Sequence, residues 1–241
     1  EPYDDEFEDI YTIGIFTIGT LNIEEIHTDP KKVINALYHV SSNIVKDDKF
    51  LVTLGGEHSI SQGVIKAYKK KKKNLSILQL DAHLDLMKQF GGTRYSHASV
   101  TRRVVEDMKC KVTSFGVRVV SKEEQKKKKK KKDSVSVFYA KDIYNNDDWH
   151  DQAIETLEDY VYITLDVDGF DVSIMPATGT PVPGGLGWYQ TIDFLRKVYK
   201  ERTVVGLDVV ELKPNPGNDA PNFLAANLVY KNIGFYKKYT L

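Results

Sequence analysis

Seven short apolar runs, alternating with stretches of helical spacing, constrain this chain more than any other feature. They are YTIGIF (11–16), FLVTL (50–54), LSILQL (75–80), KVTSF (111–115), SVSVF (134–138), YVYITL (160–165) and TVVGLDVV (203–210). Their content of β-branched and aromatic residues suits a pleated, buried surface. Residues 30–46 carry Val33, Leu37, Val40 and Ile44 at steps of three and four, and 60–70, 96–108, 147–159, 189–200 and 221–239 repeat that spacing. Strand alternating with helix builds βαβ units, so the expected fold is α/β, a three-layer α/β/α sandwich around a mostly parallel central sheet. Strands apolar on both faces need helices on both. With no internal repeat and no linker, the 241 residues read as a single domain over 1–241.

Composition narrows the function classes. Hydrophobic residues are 41% and charged residues 28% of the chain, a globular profile. No apolar run approaches the roughly 18–20 residues of a membrane helix. The acidic start EPYDDEFED lacks the basic and apolar regions of a secretory signal. The chain opens on Glu1 and not Met, and a further N-terminal portion is expected. One cysteine, Cys110, excludes an internal disulfide framework and points to a reducing, cytoplasmic setting. It sits between a helical stretch and KVTSF and reads as a packed thiol. The formal net charge is zero, yet Lys69–Lys73 and Lys126–Lys132 are unbroken lysine runs. A nucleic-acid or acidic-membrane patch would interleave aromatics with the lysines. Here none do, and each run sits just before a strand, so solvated helix ends and loops are expected.

In parallel sheets of this kind, ligands gather beyond the carboxyl ends of the strands, where the strand order reverses. Four apolar runs end in polar residues at that edge: GGEHS (55–59), DAHLD (81–85), DVDGFD (166–171) and Glu211. Extended backbone sends Asp81, His83 and Asp85 to one side. A carboxylate and imidazole set suits manganese, zinc or iron(II). Singly, each motif has an ordinary reading: Asp81 as a helix cap, Asp166 and Asp168 in an Asx turn, His58 at a helix start. Together His58, Asp81, His83, Asp85, Asp166 and Asp168 offer two imidazoles and four carboxylates. That is too much negative charge for one divalent ion and suits a pair. Two ions about 3.5–4 Å apart can share carboxylates and a water, lowering its pKa toward neutrality and giving a hydroxide nucleophile without Ser or Cys.

GGEHS, DAHLD, YSHAS (95–99), DVDGFD with PATGTPVPGGL (176–186), and DVVE (208–211) resemble, in order, the motifs of the ureohydrolases, the family of arginase and agmatinase. The resemblance spans roughly residues 50–235, and DAHLDL to YSHASVTRR is closer to agmatinase. It implies an arginase-like fold and a cytoplasmic binuclear manganese enzyme, a homotrimer or homohexamer, that hydrolyses agmatine to urea and putrescine, a polyamine. Residue by residue it implies that His58, Asp81, Asp85 and Asp166 bind one Mn2+ ion. His83, Asp81, Asp166 and Asp168 would bind the other. Asp171 would be a supporting or substrate-side acid, and Asp168 would help stabilise the tetrahedral intermediate. His97 would shuttle a proton, and Glu211 would hold the guanidinium.

Val172 and Ala177 stand where the family commonly has proline and glycine. Arginase itself, or another guanidino-acid hydrolase, is the nearest alternative, because Lys88 or Arg94 could bind a carboxylate. A catalytically silent metal-binding relative is a different class, from which ligand losses would be expected; all six are present. His27, His39 and His150 match no motif and read as structural, Trp149 and Trp188 as packing residues. Arg102 and Arg103 read as partners of acids or of a neighbouring subunit.

Overall fold

The computed structural model describes residues 3–144 and 148–241. Two short strands, β1 (Tyr3–Asp4) and β2 (Glu8–Asp9), pair antiparallel at the start. The central sheet is built from β3 (Leu51–Leu54), β4 (Leu75–Leu80), β5 (Lys111–Val117), β6 (Val135–Tyr139), β7 (Tyr160–Asp166) and β8 (Thr203–Val210). Every pairing in it is parallel, in the order β3-β8-β7-β4-β5-β6. The helices are α1 (Pro30–Val45), α2 (Ser61–Lys71), α3 (Val100–Glu106), α4 (Lys122–Lys130), α5 (Ala140–Ile143), α6 (Trp149–Glu155), α7 (Trp188–Glu201) and α8 (Ala220–Tyr239).

Alternation along the strands feeds two cores. Leu78 and Leu80 of β4 and Val161, Ile163 and Leu165 of β7 pack with α6, α7 and α8. Ile77 of β4 and Tyr162 of β7 point the other way, toward α1, α2 and α3. Full burial of such side chains contributes about 1.5–3 kcal/mol each. The three layers follow.

From β4 the chain winds outward through β5 to β6, then returns to place β7 on β4's other side. The loops leaving β4 and β7 therefore diverge, and the crevice between them is the switch point. DAHLD and DVDGFD border it.

Local chemistry explains the helix starts. Asp29 caps α1 by accepting from the amides of Lys31 and Lys32, with Pro30 in the first turn. The α1 stripe differs by one residue from the sequence expectation: Val40 is exposed, and Ser41 and Val45 face inward. Ser121 and Glu124 form a capping box that starts α4, so the second lysine run occupies a helix and its following turn. The expected helix over 147–159 is observed as Trp149–Glu155; Asp147 lies outside the described residues.

One strand expectation fails. YTIGIF is a 3-10 turn (Ile10–Ile13) running into irregular backbone, with Phe16 85% exposed. A strand needs a neighbour for its backbone N–H and C=O groups. Among the described residues no strand pairs with this segment. The lone cysteine is buried, as expected.

Candidate metal centre

A polar ladder lies beneath the site. Thr53, Asp208, Thr164, Gln79 and Ser114 stand side by side on five adjacent strands. The last four are at most 1% exposed. Buried polar groups are tolerated only with partners, and these partner one another and the groups above them. Ser114 and Thr101 hydroxyls donate to the Gln79 carbonyl oxygen, leaving the Gln79 amide to donate to Asp81 Oδ2 at 2.7 Å. Thr164 donates its hydroxyl proton to Asp208 Oδ1 at 2.6 Å, and Tyr162 donates to Asp208 Oδ2 at 2.8 Å.

That chain settles the His58 tautomer. His58 Nε2 lies 2.9 Å from Thr164 Oγ1, whose proton is already directed to Asp208. Nε2 therefore carries a hydrogen and donates, which turns Nδ1 into the crevice. There Nδ1 is met by Asp85 Oδ2 at 3.1 Å and by Asp81 Oδ2 and Asp166 Oδ2 at 3.3 Å. It is a buried nitrogen without a hydrogen-bond partner. Beside it, His83 Nδ1 lies 3.0 Å from Asp168 Oδ2 and 3.5 Å from Asp81 Oδ1. Two groups suited to an ion follow, His58 with Asp81 and Asp166, and Asp81 with His83 and Asp168, so Asp81 is common to both.

The donor set fits divalent ions. Metal–ligand bonds of about 2.0–2.2 Å place neighbouring ligands of an octahedron roughly 2.8–3.1 Å apart, close to the spacings around His58 Nδ1. A proton on Nδ1 could face one carboxylate well; an ion can meet all four donors at once. Electrostatics agree. Burial and the charge of Asp81 push Asp85 up to about 7, and burial drives Asp166 well above the usual carboxylate range. Burial works against charge on His83, but bonds to Asp168 and Asp81 outweigh it and raise its pKa to about 11. Such a cluster is short of positive charge at its centre.

Backbone geometry aims these side chains. Asp85 and Glu211 have φ of 50° and 65°, a left-handed conformation costly for residues with a Cβ. Gly169 allows the β7 turn to lie against β4: a Cβ there would fall 2.6 Å from Leu80 Cδ1 and 2.9 Å from the Asp81 nitrogen. Asp166 Oδ1 accepts from the Asp168 amide at 2.9 Å. Asp168 accepts from the Ala82 amide at 3.0 Å and the Thr180 hydroxyl at 3.1 Å.

The other expected residues divide. Glu211 Oε1 accepts from the His58 amide at 2.7 Å, and burial raises its pKa. His97 is exposed at the mouth, its Nδ1 3.4 Å from Glu57 Oε2, an interaction that raises its pKa. Asp171 clamps its own loop, accepting from the amides of Ser173, Gly184 and Gly185. Arg94 forms a two-pronged pair with Asp107, and Arg102 and Arg103 pair with Glu106. Trp149 is buried against Phe115 and Phe194.

Sequence reasoning missed Gln79, Thr164, Asp208, Thr180 and Arg118. A signal existed for the first three: one polar residue interrupts each apolar run near its end.

The chain resembles known proteins over nearly its whole length. It is 34% identical over 242 residues to an N(1)-aminopropylagmatine ureohydrolase of Synechocystis sp., covering 98% of this chain and 78% of that protein. It is 37% identical over 183 residues to an agmatinase of Pyrococcus horikoshii, covering 76% of this chain and only 62% of that relative's length. The structure of the agmatine ureohydrolase of Thermoplasma volcanium superposes with a TM-score of 0.87 at 31% identity, over 100% of this chain and 81% of that one. A model of the Arginase family matches residues 1–234. The chain belongs to the Arginase family, among its ureohydrolases.

Proposed function

We propose that this chain is a binuclear manganese hydrolase that releases urea from the guanidino group of agmatine, leaving putrescine. The observation that carries the reading is the convergence of three carboxylate oxygens on the unpartnered Nδ1 of His58, with Asp81 shared by a second group. His58, Asp81, Asp85 and Asp166 would hold one ion, and His83, Asp81, Asp166 and Asp168 the other. Bound there, the pair would supply a water ionised at neutral pH.

The remaining roles fall to the chain's own groups. Glu211 keeps Oε2 for a substrate N–H while Oε1 stays on the His58 amide. A carboxylate suits a planar guanidinium and would turn its carbon toward the ligand cluster. Asp168, held by Ala82 and Thr180, would face the charge developing at that carbon. Exposed His97, steadied by Glu57, would pass a proton between the leaving amine and solvent. Asp171 would keep the 171–185 loop in place beside the substrate.

An amine substrate is favoured over an amino acid in that Arg94, one of the two candidates for binding a carboxylate, is already paired with Asp107, which leaves only exposed Lys88 for that role. N1-aminopropylagmatine is the second reading, favoured by the name of the Synechocystis relative. A cytoplasmic homotrimer or homohexamer completes the proposal. The test is urea release from agmatine, N1-aminopropylagmatine, arginine and guanidinobutyrate after incubation with manganese. Turnover of one of the two agmatine-type amines above the acids is expected; arginine turnover far above both would overturn the substrate assignment.

A further inference from the structure

Arg118 follows β5 at the rim of the crevice and makes six hydrogen bonds through its guanidinium, all to backbone carbonyls. Three acceptors are consecutive: the carbonyls of Asp168, Gly169 and Phe170, at 2.6, 3.3 and 3.1 Å. These belong to the turn that presents Asp168. A fourth is Val182, reached from Nη2 at 2.7 Å and Nε at 3.2 Å, on the loop whose Thr180 donates to Asp168. The fifth is Gly116 at 3.0 Å, within β5. The main chain of Arg118 binds the other side of the crevice, its amide and that of Val119 donating to the Ala82 carbonyl at 2.8 and 2.9 Å.

One residue thus ties together the two segments that carry the His83–Asp81–Asp168 group. It touches DAHLD through Ala82 and DVDGFD through the 168–170 carbonyls. No bond from its guanidinium goes to His58, Asp85 or Asp166. Carbonyls directed toward one half-buried point leave unsatisfied acceptors unless a multidentate donor fills it. A guanidinium has five N–H groups in a fixed plane, whereas a lysine ammonium has three on a flexible stem.

We infer that Arg118 is the positioning residue of the second ion site, setting Asp168 against His83 through the backbone of the β7 turn. This rests on the binuclear reading above. The test compares wild type with Arg118→Lys and Arg118→Met. Bound manganese per chain is measured by equilibrium dialysis across manganese concentrations, with electron paramagnetic resonance to separate a coupled pair from an isolated ion. Loss of an outer partner of a ligand typically weakens a site about 10–100-fold. The expected result is a second binding step weakened by that factor, a first step within about threefold of wild type, and the resolved hyperfine pattern of an isolated ion at intermediate loading.

Arg118→Lys, which keeps the charge, should be the milder variant and carries the test if Arg118→Met does not fold. Wild-type affinity at both steps would overturn the inference. So would parallel loss of both ions in Arg118→Lys, whether through unfolding or general loosening. A wild type holding fewer than two ions would instead defeat the binuclear reading itself, and the unmutated protein reports that separately.

Discussion

Thr164→Val offers a sharp test of how the site is supported. Valine matches threonine in shape but lacks the oxygen that accepts from His58 Nε2 and donates to Asp208. All three residues are at most 1% exposed, so water cannot replace the lost partner. An unsatisfied buried polar group costs about 1–3 kcal/mol. His58 and Asp208 each lose a partner, though Asp208 keeps the hydrogen bond from the Tyr162 hydroxyl. The expected destabilisation is therefore roughly 2–4 kcal/mol, which for a chain of this size lowers the melting temperature by about 4–16 °C.

Thr164→Ser is the control. It keeps the hydroxyl and loses a methyl group, costing about 1 kcal/mol. The assay is thermal unfolding of metal-free protein near pH 7, followed by circular dichroism. A valine variant that melts at or above the serine variant would refute the claim that this hydroxyl orients His58.

The raised pKa of His83, about 11, makes manganese compete with a proton. Loading metal-free protein at neutral pH should release protons into a weakly buffered indicator solution, and affinity should climb with pH; silence of the indicator would contradict this. The same shift stabilises the metal-free fold below the ordinary histidine pKa of 6.5, and that stabilisation fades as pH rises through about 11, so the metal-free protein should lose stability toward alkaline pH. Replacing exposed His97 by asparagine should lower turnover by about 10²–10⁴-fold while both ions remain bound; loss of an ion in that variant would give His97 a different role.

How much was legible in the sequence depends on what kind of contact was needed. The six parallel strands and the helices α1, α2, α3, α6, α7 and α8 followed from periodicity, because side-chain burial repeats at the period of the element; α4 and α5 did not. The convergence of the candidate ligands was legible as well, since strand ends in a parallel sheet share one edge and Asp81, His83 and Asp85 need only two-residue spacing to face it. YTIGIF was misread because an apolar run becomes a strand only beside a partner, and partners are not written into the run itself. Val40 was misplaced because nearby stripes on α1 differ by a single step. Arg118 left no trace, since all but one of its acceptors are backbone carbonyls fifty or more residues away in sequence, which no side-chain pattern encodes. The ladder of Thr53, Gln79, Ser114, Thr164 and Asp208 lies between these cases: its polar interruptions were visible, and only strand order and register revealed that they align.

Anomalous diffraction at the manganese edge from a manganese-soaked crystal addresses the central claim most directly. Two peaks are predicted, one enclosed by His58, Asp81, Asp85 and Asp166, the other by Asp81, His83, Asp166 and Asp168. A single peak, or density lying away from Asp81, would contradict the account.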